Sequence, residues 1–338
     1  MSEFHINVVK LGSFEAHPNA DSLDVTKVFD YTVIAKRGNW TEGQLAVYLP
    51  VDAVVPDTEE WSWFLPKDSE GNLRFPIGST PERHRVVEAK KIRGIFSQGL
   101  LAPLPAGVWR EGDDLAVVMN ITKYEPPVPM TTGGECEPPP KGWQFMTYTD
   151  LEGLRRYPNT LHSGEEVVIT EKIHGANGRF IHDGDRLWVG SHSQIKRHDP
   201  KSIWWQAAAA EDMEAKLSKC PRHIFFGEVY GQVQDLKYGV KSGVKFRVFD
   251  VFSVVDMRYL DHDDAYRRVA DVGLQWVPIL YRGPWTPECN AMAEGASTLA
   301  DNVREGFVVK PVKERYDPAV GRVILKRHGE GYLLRKKK

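Results

Sequence analysis

The chain has 338 residues, 41% of them hydrophobic, enough apolar surface for two domains of ordinary size to bury cores of their own. Its 44 Lys and Arg against 46 Asp and Glu leave a formal charge of -2, so no global field draws it to a polyanion. No window approaches the roughly 18 consecutive apolar residues of a membrane span, and MSEFHINVVKLGSF lacks a basic region followed by an apolar run and a cleavage site, so an intracellular, cytoplasmic protein is expected. Cys136, Cys220 and Cys289 are widely separated and form no C-x-x-C pair, which supports neither a disulfide framework nor a zinc site.

Residues 1–125 read as short β-rich segments: FHINVVKLG, DVTKVFDYTVIAK, QLAVYLPVDAVVP, HRVVEAKKIRGIFSQGLLAPL and DDLAVVMNI. Gly, Pro, Asn and Asp interrupt them at short intervals, the pattern of a small antiparallel barrel or sandwich, and a five-stranded barrel fits this length. YEPPVPMTTGGECEPPPKGW follows, too rich in Pro and Gly to continue a strand or helix, and residues 126–142 are expected to be a semi-extended linker.

From residue 143 to 338 strands alternate with a few helices, an α+β domain built on antiparallel sheets. DPKSIWWQAAAAEDMEAKLSK predicts a helix capped at Ser202. DHDDAYRRVADVGL begins with a capping Asp, and TPECNAMAEGASTLADN has a Thr cap followed by Pro at the first helical position. The remaining runs, EEVVITEKI, GRFIHDGDRLWVGS, RHIFFGEVYG, VKFRVFDVFSVV, EGFVVKPV and GRVILKRH, predict strands. Local basic stretches occur at Lys90 to Gly94, Gln194 to Lys201 and the C-terminal LLRKKK; each alone is ordinarily a solvated face.

Lys172, in EKIHGANGRF, is where chemistry concentrates. A free lysine has a pKa near 10.4, so only about one in a few thousand is neutral and nucleophilic at pH 7. A lone lysine at a strand end is therefore solvated or salt-bridged unless partners for a nucleotide and a cation surround it. The chain supplies such partners in order: Glu228 in FFGEVYG, Phe249 and Asp250 in FRVFDVF, Glu305 and Lys310 in EGFVVK, and Lys326 in RVILKRH. Each is on or beside a predicted strand.

This ordered series resembles the covalent nucleotidyltransferase superfamily of ATP-dependent DNA and RNA ligases and capping enzymes. His-Gly after the lysine, an acid before it and Asn177 five residues after it are similar to the RNA ligases of that group. The front segments GQLAVYLPVDAVVP, KKIRGIFSQGLLAPL and GDDLAVVMNITKYEP look like the OB domain of the RNA ligases that carry this domain first. The resemblance implies a five-stranded OB-type barrel followed by an antiparallel-sheet nucleotidyltransferase domain of ATP-grasp-like character.

It further implies an ATP-dependent RNA ligase, a monomer that joins a 3'-hydroxyl to a 5'-phosphate at nicks in duplex RNA, with Mg2+ or Mn2+. Lys172 would attack the α-phosphorus of ATP and carry AMP. By the same resemblance, Phe249 stacks on adenine, Glu171 lies on the adenine side, Asn177 meets ribose or phosphate, and Lys310 and Lys326 meet phosphate. Glu228 and Glu305 suit a hard cation, with His174 contacting it through water or serving a structural role. Lys90, Lys91 and Arg93 are expected on the RNA-binding face of the OB domain. Where the family commonly has an arginine after the lysine motif, VGSHSQIKR offers His192, with Lys196 and Arg197 downstream. A DNA ligase, a capping guanylyltransferase and a binding protein with an inactive transferase domain are the rival readings; the front position of the OB-like segment disfavours the second, and survival of the whole residue set the third.

Overall fold

Strand Leu45–Leu49 is apolar along its length because both its faces are covered. Val47 and Leu49 join a core with Ile6, Val8, Trp61 and Leu115, while Ala46 and Tyr48 join a second with Val9, Val33 and Leu101. The computed structural model describes residues 4–124, 136–138 and 146–335, in two units, Met1–Pro127 and Val128–Lys338.

In the first unit, Leu45–Leu49 pairs antiparallel with Asn7–Lys10 and Leu100–Ala102. A second sheet runs Glu15–Ala16, Leu23–Val28, Tyr31–Lys36, and two short ladders join Ala53–Val54 to Thr122–Lys123 and Lys90–Ile92 to Ile95–Ser97. The barrel expectation meets more and shorter strands than five. DDLAVVMNI departs furthest, forming a turn rather than a strand. The Asp114 carboxylate accepts from the Ile6 and Ala116 amides, and Val117 and Val118 are left exposed. Leu115, Met119 and Ile121 of the same segment are nonetheless buried in the core.

The second unit is layered. Its larger sheet has seven antiparallel strands in the order Cys136–Glu137, Ile195–Lys196, Leu187–Ser191, Ala176–His182, His223–Gly231, Val244–Ser253, Arg258–Tyr259. Of the expected linker only residues 136–138 are described, and Cys136–Glu137 is a strand there, paired with Ile195–Lys196; the rest lies outside the described residues. The smaller sheet runs Glu152–Gly153, Leu325–His328, Gly306–Pro311, Glu166–Glu171, Ile279–Pro284. One of its pairings, Glu152–Gly153 with Leu325–His328, is parallel, an exception to the antiparallel expectation.

Helices Ile203–Ala210, Met213–Leu217 and His262–Asp271 cover the outer face of the larger sheet through Trp204, Ala207, Leu217, Ala265 and Val269. The sequence predicts a single helix where the first two stand. Asp212 adopts a left-handed conformation (φ 51°) between them, turning Met213 and Leu217 inward. TPECNAMAEG yields a 3-10 helix, Pro287–Ala293, packed on the outer face of the smaller sheet. Between the sheets lies a core of Ile181, Trp188, Phe226 and Phe252 from one, with Val308 from a strand of the other and Ile324 just ahead of its strand Leu325–His328. Among the described residues no helix is long and apolar enough to cross a membrane, and all three cysteines are free.

Candidate active site

The period-two pleat decides which residues meet. Thr170 lies opposite Val308, and Val308 opposite Lys326; Gly306 lies opposite His328. Thr170, Val308, Lys310, Lys326 and His328 therefore share the face turned to the larger sheet, whereas Glu171 shares the other with Ile169 and Phe307. Lys172 follows directly, its amide donating to the Gly306 carbonyl (3.0 Å). On the larger sheet Asn177 lies opposite Glu228. The chemistry-bearing residues thus come from facing sheets, adjoining the core they share.

Lys172 Nζ is 3.0 Å from Glu305 Oε1. Burial favours the neutral amine, but the charges of Glu305 and Glu228 outweigh it and hold Lys172 above the ordinary lysine range. Burial also penalises Glu305, yet Lys172, His174 and His328 keep its carboxyl well below the usual range. Glu228 goes the other way: burial and the neighbouring Glu305 charge, opposed by Lys172, push it up to about 8. The two acids thus hold different charge at neutral pH. Glu305 Oε2 and Asn177 Oδ1 are buried and find no hydrogen-bond partner among the described residues. Orphaned acceptors beside an acid that resists ionisation fit an incoming cation or polar ligand. Glu228, Glu305 and His174 are not a ready cage, since no group of three His, Cys, Asp or Glu among the described residues is arranged to hold a metal.

Two glycines permit this closeness. A Cβ on Gly175 would meet the Val229 carbonyl at 2.2 Å, and one on Gly306 (φ +149°) would meet the Arg327 carbonyl at 2.0 Å. The glycines of His-Gly and Glu-Gly are there because backbone passes backbone.

His174 Nε2 lies 2.7 Å from Asp235 Oδ1, and its Nδ1 lies 3.1 Å from the Tyr332 hydroxyl and 3.8 Å from Glu305 Oε2. Asp235 accepts two hydrogen bonds from Arg335, whose guanidinium also covers the Tyr332 ring at 3.6 Å. Helix Glu330–Leu334 thereby reaches the site through Tyr332. Sequence reasoning assigned nothing to Asp235 and Tyr332 and left Arg335 in the basic LLRKKK, ordinarily a solvated face; no local pattern links residues 100 positions apart.

Phe249 sits in a β-bulge. Phe226 pairs with Asp250 but Gly227 pairs with Val248, so Phe249 is the extra residue, packed against Tyr148 at 4.8 Å between ring centroids. Lys310 is buried, with its ammonium on Asp250 Oδ1 (2.9 Å) and Glu314 Oε1 (3.2 Å). Lys326 is half-buried on the strand opposite. The Glu171 carboxylate faces away from Lys172 and accepts from the Ser297 hydroxyl and from the amide and hydroxyl of Thr298. His192 pairs with Asp150 at 3.4 Å. Lys90, Lys91 and Arg93 are exposed on a hairpin of the first unit.

An RNA ligase family model matches residues 165–328, a span holding Lys172, Glu228, Phe249, Glu305 and Lys326. Over residues 165–328 the chain is therefore similar to the RNA ligase family. Ahead of this ligase domain, residues 5–104 match an OB-fold domain model. No curated protein matches the chain in sequence. Among solved structures, Naegleria gruberi RNA ligase with PPi superposes with a TM-score of 0.81 at 23% identity, covering 98% of each chain. A point mutant of that enzyme with ATP and Mn gives 0.78 at 22% identity over 97% of each chain. The likeness is one of fold, and it extends through both the OB-fold and ligase domains.

Proposed function

We propose that the protein is an ATP-dependent RNA ligase that seals 3'-hydroxyl to 5'-phosphate ends at nicks in duplexes, through lysyl-AMP at Lys172 and an adenylylated 5' end. The observation that carries the reading is Lys172 within 3.0 Å of Glu305, with the raised-pKa Glu228 supplied from the opposite sheet. Relatives of this fold bind ATP with Mn, which agrees with it.

The Lys172 nitrogen attacks the α-phosphorus, the bond to pyrophosphate breaks, and the electron pair leaves with pyrophosphate. The proton that Lys172 must shed first has Glu305 Oε1 within reach. Glu228 and Glu305 are the carboxylates that would hold Mg2+ or Mn2+, with His174 beside Glu305. The bound cation would supply positive charge that offsets the two acids and the α-phosphate. Phe249 stacks on the base, Asn177 Oδ1 accepts from the sugar, and Lys326 meets phosphate. Glu171 lies on the adenine side, its carboxylate held by Ser297 and Thr298 and its amide by the Pro278 carbonyl. AMP then passes to the 5'-phosphate of RNA, and the 3'-hydroxyl displaces it. The hairpin with Lys90, Lys91 and Arg93 contributes to the RNA grip.

Radiolabelled ATP with a divalent cation, followed by denaturing electrophoresis, tests this. Retained label in the wild type and none in Lys172→Ala is expected; no label from any nucleotide would sink the enzyme reading. Nicks with RNA or DNA on the 3'-hydroxyl side separate an RNA from a DNA ligase.

A further inference from the structure

Behind Phe249 lies a set of buried charges with no part in the chemistry above. Asp250 is fully buried. Its Oδ1 accepts from Lys310 (2.9 Å), and its Oδ2 from Arg322 (2.6 Å) and the Tyr148 hydroxyl (3.0 Å). Glu314 closes the ring, accepting from Arg322 Nε at 2.7 Å and from Lys310 at 3.2 Å. The Arg322 guanidinium covers the Tyr259 ring at 3.5 Å. Two acids and two bases cancel, and every acid oxygen in the ring has a donor.

The placement matters more than the charge balance. Asp250 belongs to the seven-stranded sheet; Lys310 is on a strand of the other, and Glu314 and Arg322 lie in the segment between that strand and its neighbour Leu325–His328. The ring is a cross-brace between the sheets. Apolar side chains would hold two sheets together without the desolvation cost of four ions, so a brace of this kind contributes defined geometry more than affinity. That geometry is applied at one point. Asp250 is the residue after Phe249, on the far side of the bulge, and Tyr148 both packs on Phe249 and donates to Asp250.

We propose that Asp250 is a positioning residue for the nucleotide: gripped by Arg322, Lys310 and Tyr148, it fixes the bulge that aims Phe249 at the base of ATP. Lys310 is accordingly part of the brace rather than a phosphate ligand. The proposal rests on the reading of Lys172 as the acceptor of AMP.

Single-turnover adenylylation across a range of ATP concentrations, on wild type, Asp250→Asn, Phe249→Leu and the double variant, tests it. Asp250→Asn is expected to raise the half-saturating ATP concentration about tenfold while the maximal rate stays within about threefold, and the double variant to be no worse than the worse single. Multiplying effects in the double variant, or a fallen maximal rate at unchanged half-saturation, overturns the brace. Should Asp250→Asn not fold, Tyr148→Phe and Lys310→Met replace it under the same criteria, each removing one donor to Asp250. A wild type that takes no label defeats the lysyl-AMP reading alone. The brace is then judged on the rise in Tm produced by ATP, which Asp250→Asn must diminish for it to stand and leaves intact if it is wrong.

Discussion

Lys172 Nζ and Glu305 Oε1 stand 3.0 Å apart, and that pairing stabilises the ammonium, the form that cannot attack phosphorus. The resting site is therefore set against the proposed reaction. Glu305→Gln should remove the larger of the two charges that raise Lys172. Its amine should then react faster with an amine-modifying reagent at pH 8, read by mass spectrometry at that position, even as adenylylation falls by about a hundredfold or more for want of the carboxylate.

Glu228 titrates near 8, above its ordinary value of 4.5. The folded state then binds more protons than the unfolded between those limits, so this group's contribution to stability is lost as pH rises from about 5 to about 8. In EDTA, the Tm of Glu228→Gln should match wild type near pH 5 and exceed it progressively toward pH 9. Mn2+ affinity should weaken about tenfold per pH unit below 8, because the carboxyl must shed its proton to bind. A gap in Tm that is constant with pH would contradict the assignment.

Gly306→Ala and Gly175→Ala drive a methyl into backbone carbonyls, at 2.0 and 2.2 Å. Each should cost about 2 kcal/mol or more of unfolding free energy, measured by denaturant titration, because the obstacle is backbone and cannot rotate away.

The clasp from the last helix is testable by Arg335→Ala and Tyr332→Phe. Removing the paired hydrogen bonds to Asp235, or the hydroxyl on His174, should slow adenylylation at saturating ATP by about tenfold through a less fixed imidazole. Equal slowing in an exposed control such as Lys27→Ala would remove the argument.

Charge reversal at Lys90, Lys91 and Arg93 should lower affinity for nicked RNA and flatten its dependence on log salt by about 0.7 to 0.9 for each phosphate no longer neutralised. Unchanged slope and affinity would move the RNA surface elsewhere.

The proposed nucleophile and its acids were legible because each has a short signature of its own: Lys172 with His-Gly, Glu228 within FFGEVYG, Glu305 before a glycine. Their partners were not. Asp250 and Arg322 are 72 residues apart and meet only once two sheets dock. Glu171 and Lys172 are adjacent in sequence but point to opposite faces, a fact of the pleat that side-chain chemistry does not reveal. The Ser202 and Asp261 caps fell at the right positions, yet neither side chain caps its helix; Asp261 accepts instead from Lys313 and the Glu314 amide. Composition marks where a helix begins, while tertiary partners decide what the polar atom does.

Because Lys172 and Glu305 adjoin strands of one sheet while Glu228 and Phe249 come from the other, neither ladder holds a working half of the chemistry. Turnover is thus a gauge of docking: any loosening of the interface should silence the enzyme while circular dichroism still records intact strands, so heat inactivation should precede unfolding.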